Sequence, residues 1–487
     1  MKRRDRLSRR KFLARGTSAA AVAALGVRAT SLHAQPRQEA EMEGREARPN
    51  ILFVFADQMR AQALGCMGNR QVRTPNLDRL ASEGVLFTHA VSSCPVCTPY
   101  RAALLTGRYP LSNGMVLNDV RLPLTELTIA EVLKQAGYQT GYIGKWHLDG
   151  PHRGGFTPPG PRRQGFDYWA VANCTHNYMR SYYYRDEPEP VWIEGYDADH
   201  QTNLAVDYMR RHAQGTPFCL FMSWGPPHGP YQLMPEEYKV YDPAEIELRP
   251  NASQDRREDI AGYYSHIAAL DRAFGRLMET LEELGLSENT IVVFTSDHGD
   301  MLGSQGKQKK QKPWDESIMV PFVLRYPARA AAGRRSATLL NVVDVMPTLL
   351  GLAGIPVPER VEGTDLSHAV LGRPGPEPSS AWLAHPCPFI EPIPEWRGVR
   401  TARYTYVRSL AGPWLLYDNE NDPYQMENLV NQPAHAGLQA DLEAEVREWL
   451  RRTGDDFQPR EVYWERFGYE VDERKQMPYD GKLGNFD

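Results

Sequence analysis

Short, continuous apolar runs alternate along the chain with longer stretches of helical periodicity. Ile51 to Ala56 is uninterrupted apolar sequence, as expected of a strand buried on both faces. Gln139 to Ile143, Phe218 to Trp224 and Ile291 to Ser296 are further strand candidates. Between them, Thr74 to Ser82, Leu127 to Ala136 and Glu258 to Leu284 carry the apolar spacing of amphipathic helices, closed by Gly84, Gly137 and Gly285. Strands alternating with helices predict an α/β fold whose mainly parallel sheet is covered on both faces.

The four predicted strands share a second property. Each runs out into polar side chains: Asp57-Gln58, Lys145-Trp146-His147, His228 after Gly225-Pro226-Pro227, and Asp297-His298. In such sheets ligands bind beyond the carboxyl ends of the strands. A single Asp after a strand is often a turn or cap residue. Four converging endings point to a site.

The C-terminal part reads differently. After Gly363-Thr364-Asp365-Leu366 the sequence is Pro-rich from Pro374 to Ser380. Trp396 to Arg408 and Trp414 to Tyr417 then predict antiparallel strands, and Leu438 to Arg452 an amphipathic helix. The expected division is a main domain at 49–375 and a smaller α+β subdomain at 376–487, with no internal repeat.

Composition narrows the function. Hydrophobic residues make up 41% and charged residues 24% of the 487, which excludes wholesale disorder. The net charge of −5 lacks the basic excess of a nucleic-acid binder. Six Cys are too few for a disulfide framework at this length, and no long apolar run suggests a membrane span. The N-terminus is a charge outlier. Its basic head, Ala-rich middle from Gly16 to Val27, and Leu32-His33-Ala34 form the pattern of a signal peptide. Ser8-Arg9-Arg10-Lys11-Phe12-Leu13 resembles the twin-arginine export motif. We therefore expect a cleaved signal at 1–34, a polar linker at 35–48, and export to the bacterial periplasm or beyond. The first 34 residues hold nine of the 56 Lys/Arg and one of the 61 Asp/Glu, so the remainder has 47 basic and 60 acidic residues, a net −13.

The most informative segment runs from Cys97 to Arg108, CTPYRAALLTGR. Pro99 suits a first helical turn and Gly107 its end, which puts Cys97 at a helix N-terminus. Orphan N–H groups and the positive dipole end there favour an anion and lower a thiol pKa, and Arg101 adds charge one turn on. Cys-x-Pro-x-Arg followed by Leu-Thr-Gly-Arg resembles the signature of the type I, formylglycine-dependent sulfatases of the alkaline-phosphatase-like superfamily. Tyr100 stands where the common signature has Ser. Thr74-Pro75-Asn76-Leu77-Asp78-Arg79-Leu80, Gly144-Lys145-Trp146-His147, Pro227-His228-x-Pro230, Ser296-Asp297-His298-Gly299 and Lys310 before Trp314-Asp315-Glu316-Ser317 extend the resemblance over about Pro49 to Asn428. Lys309 and Lys312 are near alternatives to Lys310, and Cys94 lacks the motif spacing.

The resemblance implies roles. Cys97 would be oxidised by a formylglycine-generating enzyme before export, and the hydrated aldehyde (3-oxoalanine) would attack sulfur. Asp57, Gln58, Cys97, Asp297 and His298 would hold one divalent cation, with Ca²⁺ first and Mn²⁺ or Mg²⁺ as alternatives. Most family members carry Asp-Asp where this chain has Asp57-Gln58. Arg101 would hold the nucleophile; Lys145, His228 and Lys310 would bind sulfate oxygens, with His228 as leaving-group acid. His147 would take the proton from the remaining hydroxyl so that sulfate is eliminated. Substrate choice falls to loops, with His152, Arg153, Arg162, Arg163, His176, Asn177, His385 and Trp396 as candidates and Tyr178 to Tyr184 as a candidate sugar-facing wall. The expected substrate is a sulfated glycan or other sulfate ester. The rival readings are a phosphodiester or phosphonate-ester hydrolase of the same superfamily and an unmodified, non-catalytic binding protein.

Overall fold

The structure is a computed structural model that describes residues 48–479. The expected export signal at 1–34 and all but the last residue of the expected linker at 35–48 lie outside the described residues. The strands of the described chain are β1 (Asn50–Asp57), β2 (Val85–Val91), β3 (Gln139–Lys145), β4 (Tyr168–Ala172), β5 (Tyr182–Tyr183), β6 (Val191–Trp192), β7 (Phe218–Pro227), β8 (Thr290–Ser296), β9 (Phe322–Arg325), β10 (Arg334–Asn341), β11 (Ala381–His385), β12 (Trp396–Arg400), β13 (Tyr404–Ser409) and β14 (Gly412–Asp418). Eight of them form one sheet in the order β10-β2-β9-β8-β1-β7-β3-β4. All its pairings are parallel except those of β9, which runs antiparallel to β2 and β8. The carboxyl ends of β1, β3, β7 and β8 therefore lie on one edge, as the four polar strand endings imply.

The longer helices are α1 (Pro75–Glu83), α2 (Cys97–Thr106), α3 (Ile129–Gln135), α4 (Asp197–Arg211), α5 (Arg257–Glu283), α6 (Val342–Leu352), α7 (Ala436–Thr453) and α8 (Arg460–Phe467). The continuous apolar run of β1 serves two cores. Ile51, Phe53 and Phe55 pack toward α2, α3 and α6. Leu52, Val54 and Ala56 pack toward α1, α4 and α5. Alternate residues of a strand point to opposite faces, so a central strand between two helical layers must be apolar throughout. The predicted helix at Leu127 to Ala136 is shorter, because Thr128 forms a capping box with Glu131 and sets its start.

Two glycines are required by the backbone. Gly107 ends α2 in the left-handed conformation at φ 63°. Gly144 has φ +99°, and a Cβ there would lie 2.1 Å from the Ser223 carbonyl oxygen. Only a residue without a side chain lets the ends of β3 and β7 approach this closely.

Strands β11 to β14 form an antiparallel sheet in sequence order. The sequence at Trp396 to Arg408 is thus two strands, turning at Thr401. The described residues, 48–479, form one compact unit. Trp382, Val399, Tyr406 and Leu416 of this sheet, with Leu442, Val446 and Tyr463 of α7 and α8, share the core that holds Phe53 and Leu104. The division expected at 375/376 falls in an irregular segment before β11. No described helix is long and apolar enough to cross a membrane.

Arg397 and Asp455 are both fully buried and form an ion pair, with Tyr463 accepting from Arg397 at 2.9 Å. Removing one partner of such a pair strands a buried charge. Asp455→Ala should lower unfolding stability by about 3–5 kcal/mol in denaturant titration; a loss below about 1 kcal/mol would show that the pair is dispensable.

Candidate active site

Cys97 is the first residue of α2, and all ten residues of that helix are buried. Its Sγ lies 3.4 Å from Lys310 Nζ, 3.9 Å from Lys145 Nζ, 3.4 Å from His298 Nε2 and 3.8 Å from Asp57 Oδ1. Burial and Asp57 oppose thiolate formation, but Lys145, Lys310 and His298 outweigh them and hold the thiol well below its usual pKa. Adjacent Thr98 is fixed from both sides: its N–H donates to Asn118 Oδ1 and its hydroxyl to the His147 carbonyl. Tyr100, where the signature has Ser, is packed in the core below.

Arg101 joins the strand ends. One terminal nitrogen donates to the Lys145 carbonyl and to Ser223 Oγ, both at 2.7 Å. The other reaches Asp297 Oδ2 at 3.1 Å and Asp57 Oδ2 at 3.4 Å. Lys145 also donates to Asp57 Oδ2. Burial would raise the Asp57 pKa, but Lys145, His228, Lys310 and Arg101 hold it well below the carboxylate range. Asp297, facing burial and the Asp57 charge, is pushed up.

Asp57, Cys97, Asp297 and His298 offer donor atoms that all lie within 4.8 Å of one another. His298 Nδ1 donates to the Gly299 carbonyl at 3.0 Å, which turns Nε2 toward this cluster; burial opposes a charge on the ring, but Asp297 prevails and raises its pKa. Gln58 has a left-handed backbone, φ 70°, and its N–H donates to Asp297 Oδ1 at 2.9 Å. Its Oε1 accepts from Lys310 at 2.8 Å and its Nε2 donates to Asp300 at 2.6 Å. Lys310 is buried, whereas Lys309 is exposed and Lys312 pairs with Glu391. Of the three lysines, only Lys310 is aimed at Cys97.

On the opposite side, His228 stacks on His176 with ring centroids 4.1 Å apart, and His176 lies 3.3 Å from Lys145 Nζ. Burial keeps both imidazoles well below their usual pKa, aided at His228 by Lys310 and at His176 by His228. His228 Nδ1 donates to the Gly229 carbonyl at 2.7 Å, so its Nε2 is the free nitrogen. His147 adopts φ 57° and pairs through Nε2 with Asp119 at 2.9 Å. Arg153 clamps the same carboxylate with two bonds of 2.7 Å. Burial opposes a charge on His147, but Cys174 and Asp119 prevail and push it up to about 10.

The structure thus gathers Asp57, Gln58, Cys97, Arg101, Lys145, His176, His228, Asp297, His298 and Lys310, with His147 beside them. It does not bring all the substrate candidates to this place. Arg163 is buried against Trp169 and binds Asp186, Thr157 and the Arg185 carbonyl, because a buried guanidinium needs acceptors. His385 and Trp396 are fully buried neighbours in the C-terminal sheet. Arg162 ties to Asp149, and Asn177 accepts from the Arg180 N–H in a turn next to His176. Tyr178, Tyr182, Tyr183 and Tyr184 are buried packing residues, not a sugar-facing wall. Sequence reasoning missed Asp119, Asp300 and Ser223: Asp300 directly follows the motif Ser296-Asp297-His298-Gly299 but was given no role, and the other two belong to no motif.

Comparisons with known proteins give the family. The family profile described as Sulfatase matches residues 49–355, and one described as N-sulphoglucosamine sulphohydrolase, C-terminal, matches 303–452. The chain is 43% identical over 453 residues to an ulvan-active sulfatase of Formosa agariphila, covering 90% of this chain and 88% of that protein. It is 30% identical to an endo-4-O-sulfatase of Bacteroides thetaiotaomicron, covering 81% and 90%. A solved structure from the glycosaminoglycan-metabolism locus of Bacteroides thetaiotaomicron superposes with a TM-score of 0.79 at 29% identity, covering 87% of this chain and all of that one.

The His147–Asp119 pair has a pH signature. A histidine raised to about 10 in the fold stabilises it fully below the unfolded value of about 6.5 and loses that contribution as pH climbs through 10. The gap in thermal midpoint between wild type and His147→Gln should therefore shrink from about pH 7 to about pH 10. A gap independent of pH would contradict the charged pair.

Proposed function

The chain belongs to the sulfatase family of the alkaline-phosphatase-like superfamily, and from that premise we propose that this sulfuric ester hydrolase desulfates a glycan, with ulvan oligosaccharides as the first candidates. The reading includes formylglycine made from Cys97 and one divalent cation. The observation that carries it is the convergence of Lys145, Lys310, Arg101 and His298 on or beside a single Cys side chain at a helix start. The thiol stands in for the hydrated aldehyde of formylglycine.

The donor chemistry fits a hard cation. Asp57 and Asp297 offer carboxylates, Gln58 an amide oxygen fixed by its neighbours, and His298 an imidazole nitrogen freed by its Gly299 bond. Ca²⁺ suits the oxygen-rich set first, with Mn²⁺ or Mg²⁺ as alternatives. When bound, the cation would supply positive charge for a sulfate oxygen and for the nucleophile's hydroxyl. The hydrate of formylglycine would supply that hydroxyl.

The remaining steps belong to the chain's own groups. Arg101 keeps Asp57 and Asp297 in place as acceptors. Lys145 and Lys310 bind anionic oxygens from two sides. Burial and Lys310 hold His228 well below its usual pKa; a sulfate bound beside it would offset the Lys310 charge, so that Nε2 could take a proton from solvent and give it to the leaving oxygen. His147, pushed up to about 10, enters the cycle protonated. It can donate from Nδ1 at once, and it can accept the hydrate's proton, the role the resemblance implies, only after handing its own on. His176, stacked on His228, and the adjacent Asn177 are the candidates of the original set best placed to touch the substrate.

Export completes the reading. The twin-arginine pattern at 1–34 suggests that the twin-arginine translocase carries the folded protein after a formylglycine-generating enzyme has acted on it. The exported protein would work in the periplasm or outside the cell on a sulfated polysaccharide, as a catalytic part at 49–375 buttressed by 376–487.

Mass analysis of the peptide bearing Cys97 tests the core of this proposal. The active protein should show the mass loss of thiol-to-aldehyde conversion; an unmodified thiol in an active preparation would overturn it. Matched sulfate and phosphate esters should show turnover of the sulfate. His228→Ala should slow glycan desulfation by about 10²–10⁴-fold while affecting an activated aryl sulfate far less, because only the poor leaving group needs a proton. Equal losses on both substrates would remove His228 from the acid role.

A further inference from the structure

The charge that this site lacks at Gln58 is present one residue further out. Asp300 is fully buried. One of its oxygens, Oδ2, accepts from Gln58 Nε2 and from the Tyr231 hydroxyl, both at 2.6 Å; the other accepts from the Leu302 N–H at 3.1 Å. On its far side Gln58 meets Lys310 Nζ, 2.8 Å from Oε1, and Lys310 in turn lies 3.4 Å from Cys97 Sγ. A carboxylate only accepts hydrogen bonds and an ammonium only donates them. An amide between the two has one satisfied orientation, with its nitrogen toward Asp300 and its oxygen toward Lys310, on the Cys97 side.

We infer that Asp300 is a positioning residue for the cation site: it locks the Gln58 amide so that Oε1 faces inward, and it places a full negative charge behind a neutral ligand. The pair also explains why residue 58 is an amide. A carboxylate in the place of the Gln58 amide would put two buried anions about 2.6 Å apart, as the Gln58–Asp300 distance shows. Gln58 and Asp300 thus form one unit in which the charge sits on the outer member. Groups that orient metal ligands in this way govern affinity as well as geometry.

The inference rests on the cation reading above, and the experiment separates the two. All variants are prepared in the same Cys97 modification state, and the affinity for Ca²⁺ alone is measured by competition with a chromophoric chelator. Thermal midpoints are recorded with and without chelator. Asp300→Asn, which keeps shape and removes charge, should weaken Ca²⁺ binding by about 10–100-fold. A merely structural Asp300 would instead lower the midpoint of the chelated protein and leave the Ca²⁺ affinity alone. Adding Gln58→Glu should tighten binding in the Asp300→Asn background by more than it does in the wild type, because the introduced carboxylate then faces an amide donor. Unchanged affinity in Asp300→Asn, or equal effects of Gln58→Glu in both backgrounds, overturns the inference. Should Asp300→Asn not fold, the double variant carries the test: Ca²⁺ binding near the wild-type level supports the unit, and failure to fold or to bind overturns it. A wild-type protein that binds none of Ca²⁺, Mn²⁺ and Mg²⁺ overturns the cation reading itself.

Discussion

A single buried guanidinium ties four strands to the helix that begins at Cys97. Arg101 is 1% exposed, and its partners come from the ends of β1 and β3, from Ser223 within β7 and from the residue after β8. Water cannot solvate any of these charges, so each must find its compensation inside. Arg101 compensates Asp57 and Asp297 together, and it does so from one turn along the helix whose first residue is Cys97. The register of α2 against the sheet edge, and hence the place of Cys97, follows from that requirement. Lys145 and Lys310, 3.9 Å and 3.4 Å from Cys97 Sγ, favour an anion at Cys97, and Asp57 and Asp297 leave a place for a cation beside it.

The parts legible in the sequence are those governed by periodicity or by a strand's end. The runs at Ile51, Phe218 and Ile291 are apolar on both faces because helices cover both, and the polar residues that follow mark the edge. Strand β9 escaped notice because four residues carry no period, and β10 because it opens on Arg334-Arg335-Ser336. The site residues set by motif were visible; those that orient them were not. Asp119 lies in a loop with φ 63°, and nothing local announces that it faces His147. Asp300 was hidden for a different reason. Its only sequence trace is the amide at Gln58, a departure whose cause lies 242 residues away. Arg163, His385 and Trp396 were chosen for their chemistry, yet that chemistry is spent on packing and on backbone acceptors. Side-chain type alone does not separate a buried structural group from a substrate contact.

Net charge and local charge diverge in this protein. Without its first 34 residues the chain would carry −13, yet Arg101, Lys145 and Lys310 converge at its centre. Acidic groups spread over a surface are screened within about 10 Å at ordinary ionic strength, whereas buried cations a few ångströms from a bound sulfate are hardly screened. An acidic exterior therefore costs little at the site. It also disfavours indiscriminate adhesion to polyanions, leaving recognition to the pocket.

The C-terminal sheet is bound into the same set of positions. Lys310 depends on the loop 301–311, where Leu302, Gln305, Lys309 and Gln311 all adopt positive φ. Such a backbone persists only when its surroundings over-determine it. Gln311 shows how: its N–H donates to the Pro95 carbonyl, its side-chain oxygen accepts from the N–H groups of Phe389 and Ile390, and its carbonyl accepts from Trp396 Nε1. One residue thus joins the segment leading to Cys97, the loop that carries Lys310 and the C-terminal sheet. Trp396, a candidate for touching substrate, instead holds the backbone one residue from the lysine that faces Cys97. The sheet is then not an appendage to a finished catalytic domain. Without it the strained loop loses its anchors, and the Lys310 ammonium loses the position from which it reaches both Gln58 and Cys97.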